Sequence, residues 1–191
     1  MLILFRGKHE LKLEDPLKLI GEIIYCSARF ENLVSRLYEQ IVEKAEDKSS
    51  VVSLIWLSTR SKSNAEFLDR VLKILGLGAL KEECKTVIGL PWRVVEEIMS
   101  EVDSAECLSG ESIVFLLKKL NAEDSIMSIE TYHKVLFNLL GQVLPYFVAV
   151  RDAKVISEIL QKMSKEEETH EEVLTQCFLG LSQKMDSRTR H

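Results

Sequence analysis

The sequence has few of the residues that break helices, and few of the patterns that build sheets. Its 191 residues include three prolines and eight glycines, and apolar residues recur at helical spacing between them. The exception is residues 1–14, where apolar residues flank a charged turn and predict a short hairpin or an extended arm. With 46% hydrophobic residues, enough for a sizeable core, the chain is predicted to be one all-α domain spanning residues 1–191.

Further absences limit the partners of the chain. The net charge is −5, and basic residues are dense only at 188–190, which argues against nucleic acid. The longest uncharged segment, residues 135–150, is shorter than a membrane span. The apolar run near the N-terminus is too short for a signal peptide. We therefore expect a cytoplasmic protein that binds neither nucleic acid nor a membrane.

The four cysteines form no C-x-x-C pair. Cys26, Cys84, Cys107 and Cys177 are widely spaced, which argues against a zinc ribbon or a rubredoxin-type iron site. Buried free thiols are the expected state of these residues.

The first half of the chain predicts a helical hairpin over residues 15–78. One helix begins at Asp15-Pro16, an N-cap followed by a proline at the first helical position, and ends near residue 45. The second is capped by Ser49 or Ser50 and ends at Gly76.

A long connection and a second hairpin follow. The connection, residues 79–121, contains short helices at 90–97 and 110–120. The second hairpin, residues 122–182, has one helix that begins near Asp124 and weakens between Gly141 and Pro145, and another that ends near residue 182. Residues 183–191 are predicted to be a flexible tail. This order favours a four-helix bundle with one crossover connection.

Alternating steps of three and four residues predict which side chains face the core. The first helix places Glu31 in a mostly apolar stripe, and the fourth places Glu167 and His170 there, one turn apart. The stripe of the third helix contains His133, with Glu130 at its edge; its members are Ile129, His133, Leu136, Leu140, Val143, Phe147 and Val150. Because a buried ionisable group is costly unless it is paired or binds a metal, these residues are candidate metal ligands.

The spacing resembles that of the rubrerythrin branch of the ferritin-like family. That family has a tyrosine seven residues after the glutamate of its first helix, as in Glu31 and Tyr38 here. Its last helix contains a Glu-x-x-His step like that of Glu167 and His170. The resemblance implies a ferritin-like four-helix bundle with a carboxylate and histidine site for two metal ions.

Two helices depart from the family pattern. Ser61 and Asn64 stand where the second helix of the family has its Glu-x-x-His, and Leu136 or Phe137 stands where its third helix has a glutamate. The resemblance therefore implies a degenerate di-iron site, with Glu31, Glu167 and His170 as the remaining ligands. Ser61, Asn64, Leu136 and Tyr38 would line it.

Two interpretations of this buried cluster are open from the sequence. In one, no metal binds, His170 is protonated, and Ser61 and Asn64 donate hydrogen bonds to the carboxylates. In the other, the carboxylates of Glu31 and Glu167, with the histidines, bind a single Fe, Mn or Zn ion through oxygen and nitrogen ligands.

The sequence leaves three functions open and assigns no catalytic residue. The first is a binding or structural role, with or without one metal. The second is a redox enzyme of the oxidase or peroxidase type with an altered site. The third is an adaptor whose residues 79–121 bind another protein. Because bundles of this family often self-associate, a homo-oligomer such as a dimer is expected, with residues 135–150 as either a buried helix or its interface.

Overall fold

The structure of this protein is a computed structural model, which describes residues 16–77, 83–120, 129–147 and 153–188. All regular structure in these ranges is helical, in agreement with the predicted all-α class. The predicted hairpin or arm in residues 1–14 and the predicted start of a helix at Asp124 lie outside the described residues.

The first hairpin consists of α1 (Pro16–Lys44) and α2 (Val52–Ile74), joined by a 3₁₀ turn (Lys48–Val51). The predicted serine cap of α2 is wrong, because the serines lie in the 3₁₀ turn and Val51 occupies the N-cap position without a side-chain cap bond. At the other end, the N–H of Leu77 donates to the carbonyl of Leu72, and Gly76 has a φ of +67°. This left-handed residue is the reason for a glycine there.

The connection contains α3 (Cys84–Ile88), α4 (Leu90–Ser104) and α5 (Gly110–Leu120). The predicted end of α4 at residue 97 is too early, because Ile98 and Val102 continue the buried face that Val95 begins. The predicted start of α5 agrees with the structure, in which the N–H of Ser112 donates to Oγ of Ser109.

A disulfide and a lysine fix the connection to α1. Cys26 of α1 is bonded to Cys84 of α3, so the prediction of four free thiols is wrong for this pair. The cysteines are 58 residues apart in the sequence, and only the packing of α3 on α1 brings them together. Nζ of Lys44 donates to three backbone carbonyls at the end of α4, each at 2.8 Å.

The second hairpin consists of α6 (Ile129–Phe147), which contains Pro145, and α7 (Ala153–Arg188). The predicted end of the last helix near residue 182 is too early. Gly141 allows the two helices to approach closely, because a Cβ there would lie 3.0 Å from Cγ of Gln161 and 3.1 Å from the carbonyl oxygen of Ser157. The hydroxyl of Ser157 donates to the carbonyl of Gly141 at the same contact.

The two hairpins pack against each other through their long helices. Within the hairpins α1 contacts α2 and α6 contacts α7; between them, α1 contacts α6 and α2 contacts α7. Each long helix therefore contacts two others around a shared interior. The face of α1 that carries Ile24, Glu31 and Tyr38 and the face of α7 that carries Leu160, Glu167 and Leu174 are buried in it.

None of the described helices is both long enough and apolar enough to cross a membrane. The part of the uncharged segment 135–150 that the structure describes lies in α6, where Val135 and Tyr146 are exposed. Its role as a subunit interface stays a prediction.

Candidate metal centre

Three helices bring two carboxylates and an imidazole together inside the protein. Glu31 of α1, His133 of α6 and Glu167 of α7 each offer one ligand atom, and these atoms all lie within 4.8 Å of one another. The three residues are at most 2% exposed. They meet because each lies on the inward face of its helix, where apolar residues on the flanking turns hold the backbone.

Hydrogen bonds hold the carboxylates in place. Nδ2 of Asn64, on α2, donates to Oε1 of Glu31 at 3.1 Å and to Oε1 of Glu167 at 3.4 Å. Nδ1 of His170 lies 3.0 Å from Oε2 of Glu167, one turn away on α7. Asn64 and His170 therefore form a second layer around the group of Glu31, His133 and Glu167.

The imidazole of His133 is neutral at physiological pH. Burial, and then the charge of His170, lower the pKa of His133 from 6.5 to about 3. Its Nδ1 lies 3.7 Å from Oε1 of Glu31, while its Nε2 is buried and has no hydrogen-bond partner in the described part of the chain. A neutral imidazole with an unused ring nitrogen is the form of histidine that binds metals.

Aromatic rings enclose both histidines. The ring of Phe137 stacks on His133 at 5.5 Å with an interplanar angle of 10°, and Phe30 contacts it at 5.2 Å. The rings of Trp56 and His170 are nearly perpendicular, with their centroids 5.2 Å apart. Phe30 and Trp56 were not predicted as part of the site. Phe137 was named only as an alternative to Leu136; it follows His133 by four residues and shares its helix face.

The other predicted site residues have different positions. Ser61 is buried one turn before Asn64 on α2, and Tyr38 is buried on α1 two turns after Glu31. Leu136 is only half-buried, and the stacked ring is that of Phe137. The side chain of Glu130 lies outside what the structure describes.

The inward stripe of α6 differs in phase from the prediction. The predicted Leu140 is buried, but the other buried apolar side chains after His133 are Phe137 and Leu144, and the predicted Leu136 and Val143 are half-buried. The side chains of the predicted Ile129, Phe147 and Val150 lie outside what the structure describes. The difference arises because the buried face begins with a step of four residues after His133, where a step of three was assumed.

The donor set fits a transition-metal ion. Two carboxylate oxygens and one imidazole nitrogen are ligands typical of Zn, Fe and Mn, and the group contains no thiolate. In a tetrahedral site with bonds of about 2.0–2.1 Å, neighbouring ligand atoms lie about 3.4 Å apart. The ligand atoms, now within 4.8 Å of one another, would have to move closer together to reach that spacing.

Comparisons with known proteins give one distant relative. The DNA double-strand break repair nuclease NurA of Sulfurisphaera tokodaii is 22% identical to this chain over 147 residues, which is 73% of this chain. The chain spans 44% of the length of that relative. No family model matches the chain, and no solved structure gives a significant match.

Proposed function

We propose that this chain is a ferritin-like helical-bundle protein that binds one transition-metal ion between Glu31, His133 and Glu167, in a binding or structural role. The observation that carries the proposal is the convergence of two carboxylate oxygens and an imidazole nitrogen within 4.8 Å in the buried interior. Because the three ligands come from α1, α6 and α7, a bound ion would join the two hairpins.

The ferritin-like part of the proposal is supported by topology. Two antiparallel hairpins are separated by one long connection, and each of the four long helices contacts two others. This is the arrangement expected of a bundle with a single crossover.

The electrostatics of the centre favour a bound cation. Two carboxylates this close repel each other when both are charged, and a proton, the charge of His170 beside Glu167 or a bound cation can offset this repulsion. A neutral His133 supplies a lone pair and adds no competing positive charge. His170 and Asn64 would orient the ligands as outer partners of the kind that metal sites use.

The centre favours one ion over two. The amide nitrogen of Asn64 donates to both carboxylates from the α2 side, where the other buried polar residues of the helix are Ser58 and Ser61. An amide and a hydroxyl are weak ligands compared with a carboxylate and an imidazole.

The distant relative is named as a nuclease. The position of this centre does not favour nuclease activity in this chain. Glu31, His133 and Glu167 are buried between the helices, so the phosphate of a nucleic acid could not reach them while the bundle stays closed. Hydrolysis of DNA that depended on Glu31 and Glu167 would contradict this part of the proposal.

Calorimetric titration of metal-free protein with Zn²⁺, Mn²⁺ and Co²⁺ tests the proposal. We expect about one ion per chain for at least one of these metals, and no binding after Glu31→Gln or Glu167→Gln, because each substitution keeps the shape but removes a charged ligand. His170→Gln should weaken binding by about 10–100-fold and not abolish it, since His170 acts through Glu167.

Glu22→Gln is the matched control. Glu22 is a glutamate of α1 that is also buried, but its ion pair is with Lys18 and it is not part of the centre. This variant should bind metal as the unmodified protein does. Absence of binding by the unmodified protein, or equal binding by Glu31→Gln and Glu167→Gln, would refute the proposed centre.

A further inference from the structure

A column of aromatic rings leads from the connection between the hairpins to the metal centre. Trp92, in the first turn of α4, stacks on Phe30 of α1 with the ring centroids 6.0 Å apart. Phe30 in turn contacts the ring of His133, at 5.2 Å between centroids. We refer to Trp92, Phe30 and His133 as the aromatic column. Its inner end is a candidate ligand of the metal ion, and its outer end belongs to the connection.

Hydrogen bonds join the outer ring of the column to α3. Nε1 of Trp92 donates to Oε1 of Glu96 at 2.9 Å, and Nζ of Lys85 donates to the other carboxylate oxygen of Glu96. The bond from Lys85, and then the bond from Trp92, lower the pKa of Glu96. Because Lys85 belongs to α3, the position of α3 helps to fix the position of the indole ring.

The disulfide is the strongest attachment of α3 to the rest of the protein. A helix of five residues is too short to be stable by itself, its N-cap makes no side-chain hydrogen bond, and only Cys84 and Ile88 of its residues are buried. Cys84 is bonded to Cys26, which lies one turn before Phe30 on α1. The disulfide and the outer stack of the column therefore lie next to each other on α1.

The opposite end of α4 is attached without a disulfide. Lys44 of α1 binds three backbone carbonyls there, and Val95, Ile98 and Val102 bury one face of the helix. Breaking the disulfide should therefore loosen α3 and the first turn of α4, while the rest of α4 stays packed. The loosened part is the part that contains Trp92.

We propose that the disulfide between Cys26 and Cys84 is a redox switch that controls the release of the metal ion. The intact disulfide keeps Trp92 stacked on Phe30, and Phe30 in contact with His133. When a dithiol reduces the disulfide, the outer ring leaves the column, the imidazole is less firmly held, and the ion dissociates faster. This inference rests on the proposed metal binding and assigns a regulation to the same centre.

The reduction is an exchange between a dithiol and the disulfide. A thiolate of the dithiol attacks Sγ of Cys84, which is 8% exposed whereas Cys26 is fully buried, and the sulfur of Cys26 leaves as a thiolate and takes up a proton. The second thiol of the reductant then displaces the sulfur of Cys84 from the mixed disulfide, and this sulfur is protonated as well. The two electrons and two protons come from the dithiol, which becomes a disulfide.

The rate at which EDTA removes Co²⁺ from loaded protein tests the switch. All proteins carry Cys107→Ser and Cys177→Ala, so that Cys26 and Cys84 are the only cysteines left. Oxidised protein is compared with protein that dithiothreitol has reduced and that is desalted without oxygen before it is loaded. We expect two new thiols on reduction and a release roughly two- to tenfold faster, which is the factor that one aromatic contact corresponds to. Cys26→Ala with Cys84→Ala, which has no thiol that could bind Co²⁺, should behave as the reduced protein does.

Two variants separate the aromatic column from a general loosening of the connection. Trp92→Leu removes the outer ring and leaves the disulfide in place, so it should release Co²⁺ as fast as the reduced protein, and reduction should add no further increase. Lys44→Met is the matched control, because it loosens the other end of α4 and removes no ring of the column. This variant should release Co²⁺ at the rate of the parent protein.

Equal release rates before and after reduction would overturn the switch and leave the proposed centre standing. The switch would also be overturned if Lys44→Met released Co²⁺ as fast as the reduced protein, if reduction accelerated release equally in Trp92→Leu, or if dithiothreitol could not reduce the disulfide in the folded protein. Failure of the parent protein to bind Co²⁺, Zn²⁺ or Mn²⁺ would instead refute both the centre and the switch.

Discussion

Replacing Glu31 by glutamine should change the stability of the protein in opposite directions with and without metal. In the metal-free protein, the carboxylates of Glu31 and Glu167 have oxygen atoms within 4.8 Å of each other. Two full charges at this distance repel by about 3 kcal/mol at an effective dielectric constant of about 20. Glutamine removes the repulsion and keeps an oxygen that can accept the hydrogen bond of Asn64.

The gain in the metal-free state should be smaller than the full repulsion, because the pair can share a proton. We expect Glu31→Gln to raise the free energy of unfolding by about 1–3 kcal/mol in EDTA. For a chain of this size, that corresponds to a rise in melting temperature of several degrees. At a free metal concentration 100 times the dissociation constant, bound metal should stabilise the unmodified protein by about 2.7 kcal/mol and should not stabilise the variant.

Thermal melts followed by circular dichroism, in EDTA and in excess Zn²⁺ or Mn²⁺, measure both effects. The predicted result is that the order of melting temperatures reverses when metal is added. A variant that is less stable in EDTA and is stabilised by metal as strongly as the unmodified protein would refute the reasoning. Glu22→Gln should leave the response to metal unchanged.

Three further predictions follow from other parts of the structure. A thiol reagent should modify Cys107 in the native protein, but Cys177 only after unfolding, because burial shields this thiol and raises its pKa. Cys26 and Cys84 should react only after their disulfide is reduced, and this reduction should lower the free energy of unfolding by about 4 kcal/mol. Lys44→Met should lower the free energy of unfolding by about 1–3 kcal/mol in urea titrations, because three backbone carbonyls, two of them at part-buried contacts, lose their donor. In metal-free protein the free energy of unfolding should fall as the pH decreases from 6.5 towards 3, because His133 takes up a proton in the unfolded state but not in the folded state. His133→Gln should make the free energy of unfolding depend less on pH in this range.

Each of these predictions has a contradicting result. Reaction of three or four thiols in unfolded but unreduced protein would exclude the disulfide between α1 and α3. Lys85→Met removes an exposed ion pair and should cost at most about 0.5 kcal/mol, so an equal loss in both lysine variants would remove the special role of Lys44. Parallel pH profiles with and without His133 would show that its protonation does not differ between the folded and unfolded states.

The helical period was enough to predict much of the interior. The stripes of α1 and α7 alternate steps of three and four residues, and Glu31, Glu167 and His170 are buried on them. Long helices with strong apolar periodicity carry this information in the local sequence.

The phase of α6 could not be predicted in the same way. α6 is apolar on several sides, so its sequence does not mark one face, and a shift of one residue exchanges Leu136 for Phe137. His133 stood in the predicted stripe, but its place beside Glu31 and Glu167 depends on how α6 packs between the hairpins.

The connection between the two hairpins shows a different limit of prediction from the sequence. Contacts between residues far apart in the sequence determine where its three helices pack, which cysteines form the disulfide, and which carbonyls Lys44 binds. Local propensity predicts where short helices begin, as for α5, but it cannot show on which long helix they pack.

Metal content measures the central claim most directly. Protein produced with Fe, Mn and Zn in the medium and analysed for bound elements should contain about one ion per chain, and a variant with both His133→Ala and Glu167→Ala should contain none. Fewer than about 0.2 ions per chain in the unmodified protein, with no rise in melting temperature when metal is added, would contradict the account. Equal metal content in the unmodified protein and the double variant would show that the ion binds elsewhere.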